Sequence, residues 1–237
     1  MARLRPRRFG LWALGGVAAL AVLVAGGTWI YIHLIEGPAP APLSLKSSTK
    51  TSTGTASTGT ASITKVAGTW RVASGSIVGY RVDEVLAGQN NVAVGRTSTI
   101  NGTMSISGTT VTSASFTVQM ATIHSDQSQR DAQFNGRIMD TASYPTGTLT
   151  LASPVQLGVI PADGVVRTYQ VAAHLTLHGH TRPVMFTLRA ERTTAGIEVS
   201  GSIPVLFANW GIANPSFAGF VTTQDHGQLE FLVKLAR

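Results

Sequence analysis

The sequence contains no cysteine. This absence excludes disulfide bonds, thiol nucleophiles and metal sites built from thiolates. It does not identify the compartment, because a chain without cysteine suits both reducing and oxidising surroundings. Residues 66–237 have the composition of one folded domain, and a domain of that size buries enough surface for a core without disulfide bonds.

Motifs of known hydrolases and nucleotide-binding enzymes are also absent. The chain has no G-x-S-x-G, no H-E-x-x-H and no phosphate-binding glycine loop. Ser125, Asp126, Arg130 and Asp131 form a polar group, but helix capping and pairing within a helix explain these residues. We therefore predict that the protein is not an enzyme.

A basic surface on the folded part is missing as well, although the net charge is +7. Four arginines lie within residues 1–8 and three lysines lie within residues 46–65. From residue 66 onward, eleven Lys and Arg residues face ten Asp and Glu residues. This balance leaves no positive field for phosphates, so we predict no nucleic-acid partner.

Residues 9–35 carry no formal charge and follow the arginine-rich tail of residues 1–8. A helix of this length crosses a bilayer with some tilt, and the preceding arginines favour a cytoplasmic N-terminus. A cleaved signal peptide is the alternative, although its apolar region usually has only about 7 to 15 residues. In either case the C-terminal part is exported, and we expect a single-pass protein of the cell membrane.

Residues 36–65 are predicted to form a disordered linker. They consist mainly of Pro, Ala, Ser, Thr and Gly, and they contain the near-repeat of residues 53–57 and 58–62. No apolar periodicity remains that would bury a core. Random-coil scaling gives such a segment a reach of about 30 Å, which keeps the exported domain near the membrane.

Residues 66–237 show the alternation of apolar and polar residues that is typical of β-strands. The clearest example is a hairpin over residues 169–190, in which Val171, Leu175 and Leu177 share one face and Phe186 and Leu188 continue it after Gly179. Similar runs recur between Gly, Asn, Asp and Pro breaks to the end of the chain. The pattern predicts an all-β fold, an antiparallel barrel or sandwich.

One segment departs from this alternation. Asp126 is a candidate helix N-cap, and Ala132, Phe134 and Ile138 have the spacing of an apolar helical stripe. We predict one short helix from about residue 127 to residue 138. It would cross or plug the sheet.

Three histidines lie close together in the sequence. His174, His178 and His180 share the polar face of the hairpin if strand geometry continues through His178, and imidazoles at short spacing can bind zinc or copper. However, no acidic ligand is nearby, and Gly179 is expected to start a turn that separates His180 from the others. Histidines that are solvated or hydrogen-bonded are the preferred interpretation, so no metal site is predicted.

Several short motifs resemble the YceI-like, polyisoprenoid-binding proteins. The similarity runs from residue 68 to residue 235, and its most specific part is Leu175–Val184, where a strand, a Gly turn and Thr-x-Pro-Val follow one another. Further matching pieces are Trp70-Arg71-Val72, Ser125-Asp126, Arg130-Asp131, Tyr144-Pro145 and Trp210-Gly211-Ile212. The chain departs from the family pattern at Gln133, where many members have a histidine.

The resemblance implies a lipocalin-like antiparallel β-barrel whose apolar interior holds a long isoprenoid, of quinone or polyprenyl type, with no other cofactor. The side chains expected to line this interior are Phe116, Val118, Val171, Leu175, Leu177, Phe186, Leu188, Val205, Phe207, Phe231 and Val233. These assignments depend on strand phase, because a register error of one residue would turn each side chain outward. The sequence is also compatible with a homodimer.

Two other functions remain open at this point. The barrel would act as a rigid interaction or stress-response scaffold if its interior were filled, with residues 210–220 as an aromatic candidate surface. A metal-dependent activity at His174, His178 and His180 is the third possibility. A continuous void inside the barrel would favour the lipid carrier over the scaffold.

Overall fold

The structure, a computed structural model, describes residues 39–45, 66–86, 88–216 and 221–237. The predicted tail and membrane anchor, residues 1–35, lie outside this part, as does most of the predicted linker. Within the described ranges, no helix combines the length and the hydropathy needed to span a bilayer.

Twelve β-strands form in the described part of the chain. Their bounds are β1 Gly68–Val72, β2 Ile77–Leu86, β3 Gln89–Thr97, β4 Ile100–Ser107, β5 Thr110–Gln119, β6 Thr146–Leu151, β7 Val155–Gln156, β8 Arg167–Leu177, β9 His180–Arg192, β10 Ile197–Leu206, β11 Val221–Thr223 and β12 His226–Ala236. The short runs of alternating apolar and polar residues in the sequence therefore correspond to β-strands in the structure.

Eight of these strands close into an antiparallel barrel. The ring runs β1-β4-β5-β6-β8-β9-β10-β12 and returns to β1. Pairing of Arg71 with Ala236 closes it. β2 pairs with the other half of β12, and β3 and β11 both pair with β2. The predicted all-β antiparallel barrel is confirmed.

The β8–β9 hairpin has the predicted strand phase. Val171 lies opposite Phe186, and Tyr169 lies opposite Leu188. Val171, Leu175 and Phe186 are buried in the barrel core. Their sequence neighbours at 170, 174, 185 and 187 are exposed and those at 172 and 176 are half-buried, because successive strand residues point to opposite faces.

The hairpin turn differs from the expectation for His178. β8 ends at Leu177, and both His178 and Gly179 adopt positive φ angles, of 47° and 75°. Two such residues are required by the tight hairpin turn whose twist matches that of the strands. His178 therefore lies in the turn one residue before the expected turn residue Gly179, and strand geometry does not continue through it, so the condition for a polar face shared by the three histidines is not met.

The predicted helix is present but is capped differently. An α-helix, α1, spans Ser128–Gln133 and continues as a π-helical turn over Phe134–Ile138. The N-cap is Gln127, which makes no side-chain capping bond, so the prediction of Asp126 as the cap is wrong. The Asp126 carboxylate pairs instead with Arg130, four residues later. Phe134 packs into the core, whereas Ala132 is exposed.

Residues 39–45, which we call the strap, lie against the outside of the barrel. The main-chain N–H of Leu43 donates to Glu230, and that of Leu45 donates to Ser200 Oγ at 3.3 Å. The Leu45 side chain is buried, with 4% of its surface exposed. Part of the segment predicted as a linker is thus docked on β10 and β12.

Candidate functional site

A cavity of about 240 Å³ lies inside the barrel and has an almost entirely hydrocarbon wall. Its wall is formed by inward side chains from every strand of the ring except β1. Nine of the predicted ligand-binding residues line it: Phe116, Val118, Val171, Leu175, Leu177, Phe186, Leu188, Phe231 and Val233. A ligand inside would contact mainly apolar surface.

Small residues at inward positions leave this space open. Ala114, Ala173 and Ala190 occupy positions on the wall where neighbouring strands carry bulky side chains. Gly147 differs from these alanines, because Met120 fills the space beside it: an added Cβ would lie 3.0 Å from Met120 Sδ. Protein interiors are close-packed and leave few voids. The cavity is therefore attributed to the small side chains at these inward positions.

A second cavity, of about 110 Å³, lies at the end of the barrel near α1. Val205 and Phe207, the remaining two predicted residues, line this second cavity and not the first. The side chains of Met120, Ile123, Leu177 and Leu229 contribute to both walls. These four side chains lie between two adjoining apolar spaces along the barrel.

The second cavity also contains polar groups. Arg130 Nη2 lies 3.3 Å from Oε1 of Glu84. The ring of Tyr80 stacks on Phe134, with ring centroids 5.1 Å apart. Burial raises the pKa of the Tyr80 hydroxyl, opposed by the nearby charge of Arg130. Tyr80 is therefore a neutral phenol at physiological pH.

Ser125 and Asp131 are joined by two hydrogen bonds. The Asp131 carboxylate accepts hydrogen bonds from the Ser125 main-chain N–H at 2.8 Å and from Ser125 Oγ at 2.7 Å. Its other oxygen lies 3.2 Å from His124 Nδ1. Burial opposes ionisation of Asp131, but hydrogen bonds from Ser125 and His124 outweigh it and lower its pKa. Ser125 Oγ therefore donates to a carboxylate whose lowered pKa makes it a weak general base.

The three histidines do not form one cluster. His178 and His180 both lie beside Gly211, where an added Cβ would be 3.9 Å from His178 Nδ1 and 3.1 Å from His180 Nε2. His174 is exposed on the outer face of β8. His178 packs on the ring of Tyr144 at 4.4 Å, and its Nδ1 lies 3.3 Å from the carbonyl oxygen of Trp210. Within the described residues, no group of three or more His, Asp or Glu side chains is arranged to hold a metal ion.

Trp210, the leading aromatic of the candidate protein-binding surface, is buried. Only 3% of its surface is exposed, and its indole N–H donates to the carbonyl oxygen of Leu175 at 3.3 Å. It closes the barrel near the hairpin turn and offers no contact area to a partner. Residues 217–220 of that surface lie outside the described part of the chain.

Sequence reasoning missed Arg192 and the loop over residues 157–166. Arg192 lines the main cavity, together with Ile160 and Pro161 of that loop. The strand alternation contained a signal for Arg192, because it has the same phase as Phe186 and Leu188. The loop carried no such signal, since its contact with the barrel depends on the fold.

The sequence and the fold both match known proteins. The family model of the YceI-like domain matches residues 47–235. A polyisoprenoid binding domain from Saccharophagus degradans, implicated in plant cell wall breakdown, is 17% identical, with a TM-score of 0.57, and the match covers 72% of this chain and 98% of that one. Burkholderia cenocepacia BcnA is 18% identical, with a TM-score of 0.55, over 70% of this chain and 99% of that one.

Among curated proteins, none matches this chain significantly. Because these two solved structures are only 17% and 18% identical in sequence, they show similarity of fold alone. The family match covers most of the chain, including the strands of the closed barrel up to residue 235. The chain therefore belongs to the family of YceI-like domains.

Proposed function

We propose that this protein binds an isoprenoid lipid, of quinone or polyprenyl type, inside its barrel and stores or transfers it at the outer face of the cell membrane. The observation that carries the proposal is the apolar cavity. Membership of the YceI-like family and the fold shared with a polyisoprenoid binding domain support it.

Burial of hydrocarbon would supply the binding energy. Removing about 300 Å² of isoprenoid surface from water is worth about 7.5 kcal/mol at about 25 cal/mol per Å², before the entropic cost of association. The nine predicted residues on the wall, among them Leu175 and Phe186, offer hydrocarbon contacts and no charge. An oily tail of any length that fits would bind in this way, so the wall favours a class of lipid and not a single compound.

The cavity favours a carrier over a filled scaffold. A scaffold requires that bulky side chains meet across the barrel axis. Phe186 and Phe231 do approach edge to face, with ring centroids 5.9 Å apart. Nevertheless both line the open space, and the buried Trp210 removes the strongest candidate for a protein-binding surface.

The proposed tether would hold the barrel close to the bilayer. The predicted anchor ends at residue 35, and within the described residues the first strap group bonded to the barrel is the carbonyl oxygen of Pro40, which accepts from Arg81. A chain spans at most about 3.6 Å per residue, so the predicted anchor and this bond are at most about 18 Å apart, compared with about 30 Å for a free linker. A short tether of this kind suits the direct exchange of lipid with a membrane.

The test compares a blocked cavity with a matched surface change. Ala114→Trp adds a large side chain to the cavity wall, whereas Ser115→Trp adds it to the exposed outer face of the same strand. The full-length protein and both variants are purified in phosphatidylcholine nanodiscs. Each is then extracted with organic solvent for mass spectrometry and titrated with an isoprenoid quinone.

We expect bound isoprenoid and quinone uptake in the wild type and in Ser115→Trp, with at least a tenfold loss in Ala114→Trp. Circular dichroism checks that both variants retain the barrel. Absence of any isoprenoid from the wild type, together with no quinone uptake, would contradict the proposed function.

A further inference from the structure

Arg192 is a charged side chain on the inner face of an otherwise apolar wall. It is the last residue of β9 and shares the inward phase of Phe186 and Leu188. The other two charged residues that border the cavity, Glu191 and Glu230, have the outward strand phase. A cation at an inward position requires hydrogen-bond or ion-pair partners, because burial of an unpaired charge in a hydrocarbon cavity is unfavourable.

Only part of the Arg192 guanidinium has a protein partner. Its Nη2 donates to Oδ1 of Asp163 at 2.5 Å, and this pair ties the loop over residues 157–166 to the end of β9. Its Nη1 is buried and has no hydrogen-bond partner among the described residues. A buried donor without an acceptor is costly, and such groups are rare in folded proteins.

The surroundings of this end of the cavity are apolar. Ile160, with 4% of its surface exposed, and Pro161 contribute from the loop, and Ile197 lies opposite Arg192 on β10. An ordered water molecule needs two to four polar partners, which these side chains do not provide. An oxygen atom of a bound molecule would supply the missing acceptor.

We propose that Nη1 of Arg192 donates a hydrogen bond to an uncharged oxygen on the head of the bound lipid, such as a quinone carbonyl. The inference rests on the proposed function and specifies the end of the cavity that receives the head. The isoprenoid tail then extends past Phe186 toward Leu177 and the second cavity.

Charge balance selects the uncharged head. Asp163 already neutralises Arg192, so the site carries no net positive charge for a phosphate. Tight phosphate sites use bidentate contacts from two guanidinium nitrogens, whereas Nη2 is already bonded to Asp163 and Nη1 is the buried nitrogen without a partner among the described residues. One nitrogen suffices for a carbonyl oxygen.

The experiment uses three lipids that share the phytyl tail: phylloquinone, phytane and phytyl phosphate. Full-length wild type, Arg192→Met and Arg189→Met are compared in nanodiscs. Arg189 lies on the same strand with its side chain exposed on the outer face, so it controls for the loss of an arginine. We expect Arg192→Met to lower phylloquinone affinity about tenfold, as for one hydrogen bond to a charged donor, and to leave phytane affinity unchanged. Arg189→Met should change neither.

Two further measurements test the head site without relying on Arg192→Met. Infrared spectra of phylloquinone bound to the wild type should show one carbonyl band shifted to lower frequency by the hydrogen bond. Asp163→Asn should raise the affinity for phytyl phosphate, because the guanidinium charge would no longer be neutralised.

The outcomes separate the two proposals. If the wild type binds phylloquinone and phytane, but Arg192→Met leaves their affinity ratio unchanged and no carbonyl band shifts, the head site is wrong and the carrier function stands. If the wild type binds none of the three lipids, the carrier function itself fails.

Discussion

Glu230 and Arg96 form an ion pair on the outer face of the barrel, with Oε1 of the carboxylate 2.6 Å from Nη2 of the guanidinium. The second carboxylate oxygen accepts from Arg81 Nε at 3.3 Å and from the main-chain N–H of Leu43 at 3.2 Å. Both arginines also donate to carbonyl oxygens of the strap. The strap thus completes the hydrogen bonding of a carboxylate that is only 4% exposed.

Glu230→Gln is expected to destabilise the protein by about 3 kcal/mol, because two partly buried guanidinium groups would lose their counter-charge. Urea unfolding of the purified protein measures the change. Glu198→Gln is the control, since Glu198 pairs with Lys234 at a more exposed site and should cost less than about 1 kcal/mol. Equal effects of the two substitutions would contradict the structural role of the ion pair.

Leu45→Ala is expected to weaken docking of the strap by about 2 kcal/mol, because it removes a buried apolar side chain. The amide of Leu43, which is bonded to Glu230 in the docked strap, should then exchange its hydrogen about 30-fold faster. Hydrogen exchange followed by mass spectrometry measures this rate. Ser44→Ala, at an exposed position of the same segment, should leave it unchanged.

Gly179→Ala is expected to destabilise the barrel more than Gly108→Ala. Both glycines have positive φ, at 75° and 57°, so both substitutions strain the backbone by about 1 to 2 kcal/mol. Only at Gly179 would the new Cβ meet another group, since it would lie 2.6 Å from Cε1 of Tyr144. Thermal unfolding should show an additional cost of about 1 kcal/mol or more. Similar costs at both sites would mean that Tyr144 moves aside freely.

Asp131 should make the stability of the protein depend on pH in the acid range. Its folded-state pKa is depressed, so its contribution is complete above the unfolded pKa of about 4 and is lost as the pH falls through the folded pKa. The difference in unfolding free energy between wild type and Asp131→Asn should therefore shrink as the pH is lowered from about 5 to about 2. A constant difference over this range would exclude the carboxylate as its source.

Strand phase was predictable because it depends on local geometry. Val171, Leu175 and Leu177 alternate with polar residues, and the same side chains face the barrel interior in the structure. The family motifs around the hairpin turn pointed to the same fold, which the match to the YceI-like domain confirms. The role of the inward residues in binding a ligand stays a prediction.

Local signals were less reliable where two interactions compete for one side chain. Asp126 has the residue type of an N-cap, but its carboxylate pairs with Arg130. His178 has the position of a strand residue, yet it takes a positive φ angle in the turn, where Tyr144 and Trp210 contact its ring. Arg130 lies only four residues after Asp126, so the sequence shows this pair but not which interaction the carboxylate makes. The partners of His178 are distant in the sequence, so no window around that residue reveals them.

The order of apolar and polar residues along each strand was enough to state which side chains lie inside, because a β-strand turns successive side chains to opposite faces. Closure of the ring, the size of the void and the docking of the strap required the folded chain. Arg71 pairs with Ala236, and Leu43 reaches Glu230, through contacts between residues far apart in sequence. The missing partner of Arg192 Nη1 among the described residues likewise becomes visible only when the surrounding side chains are in place, because burial and missing partners are properties of packing.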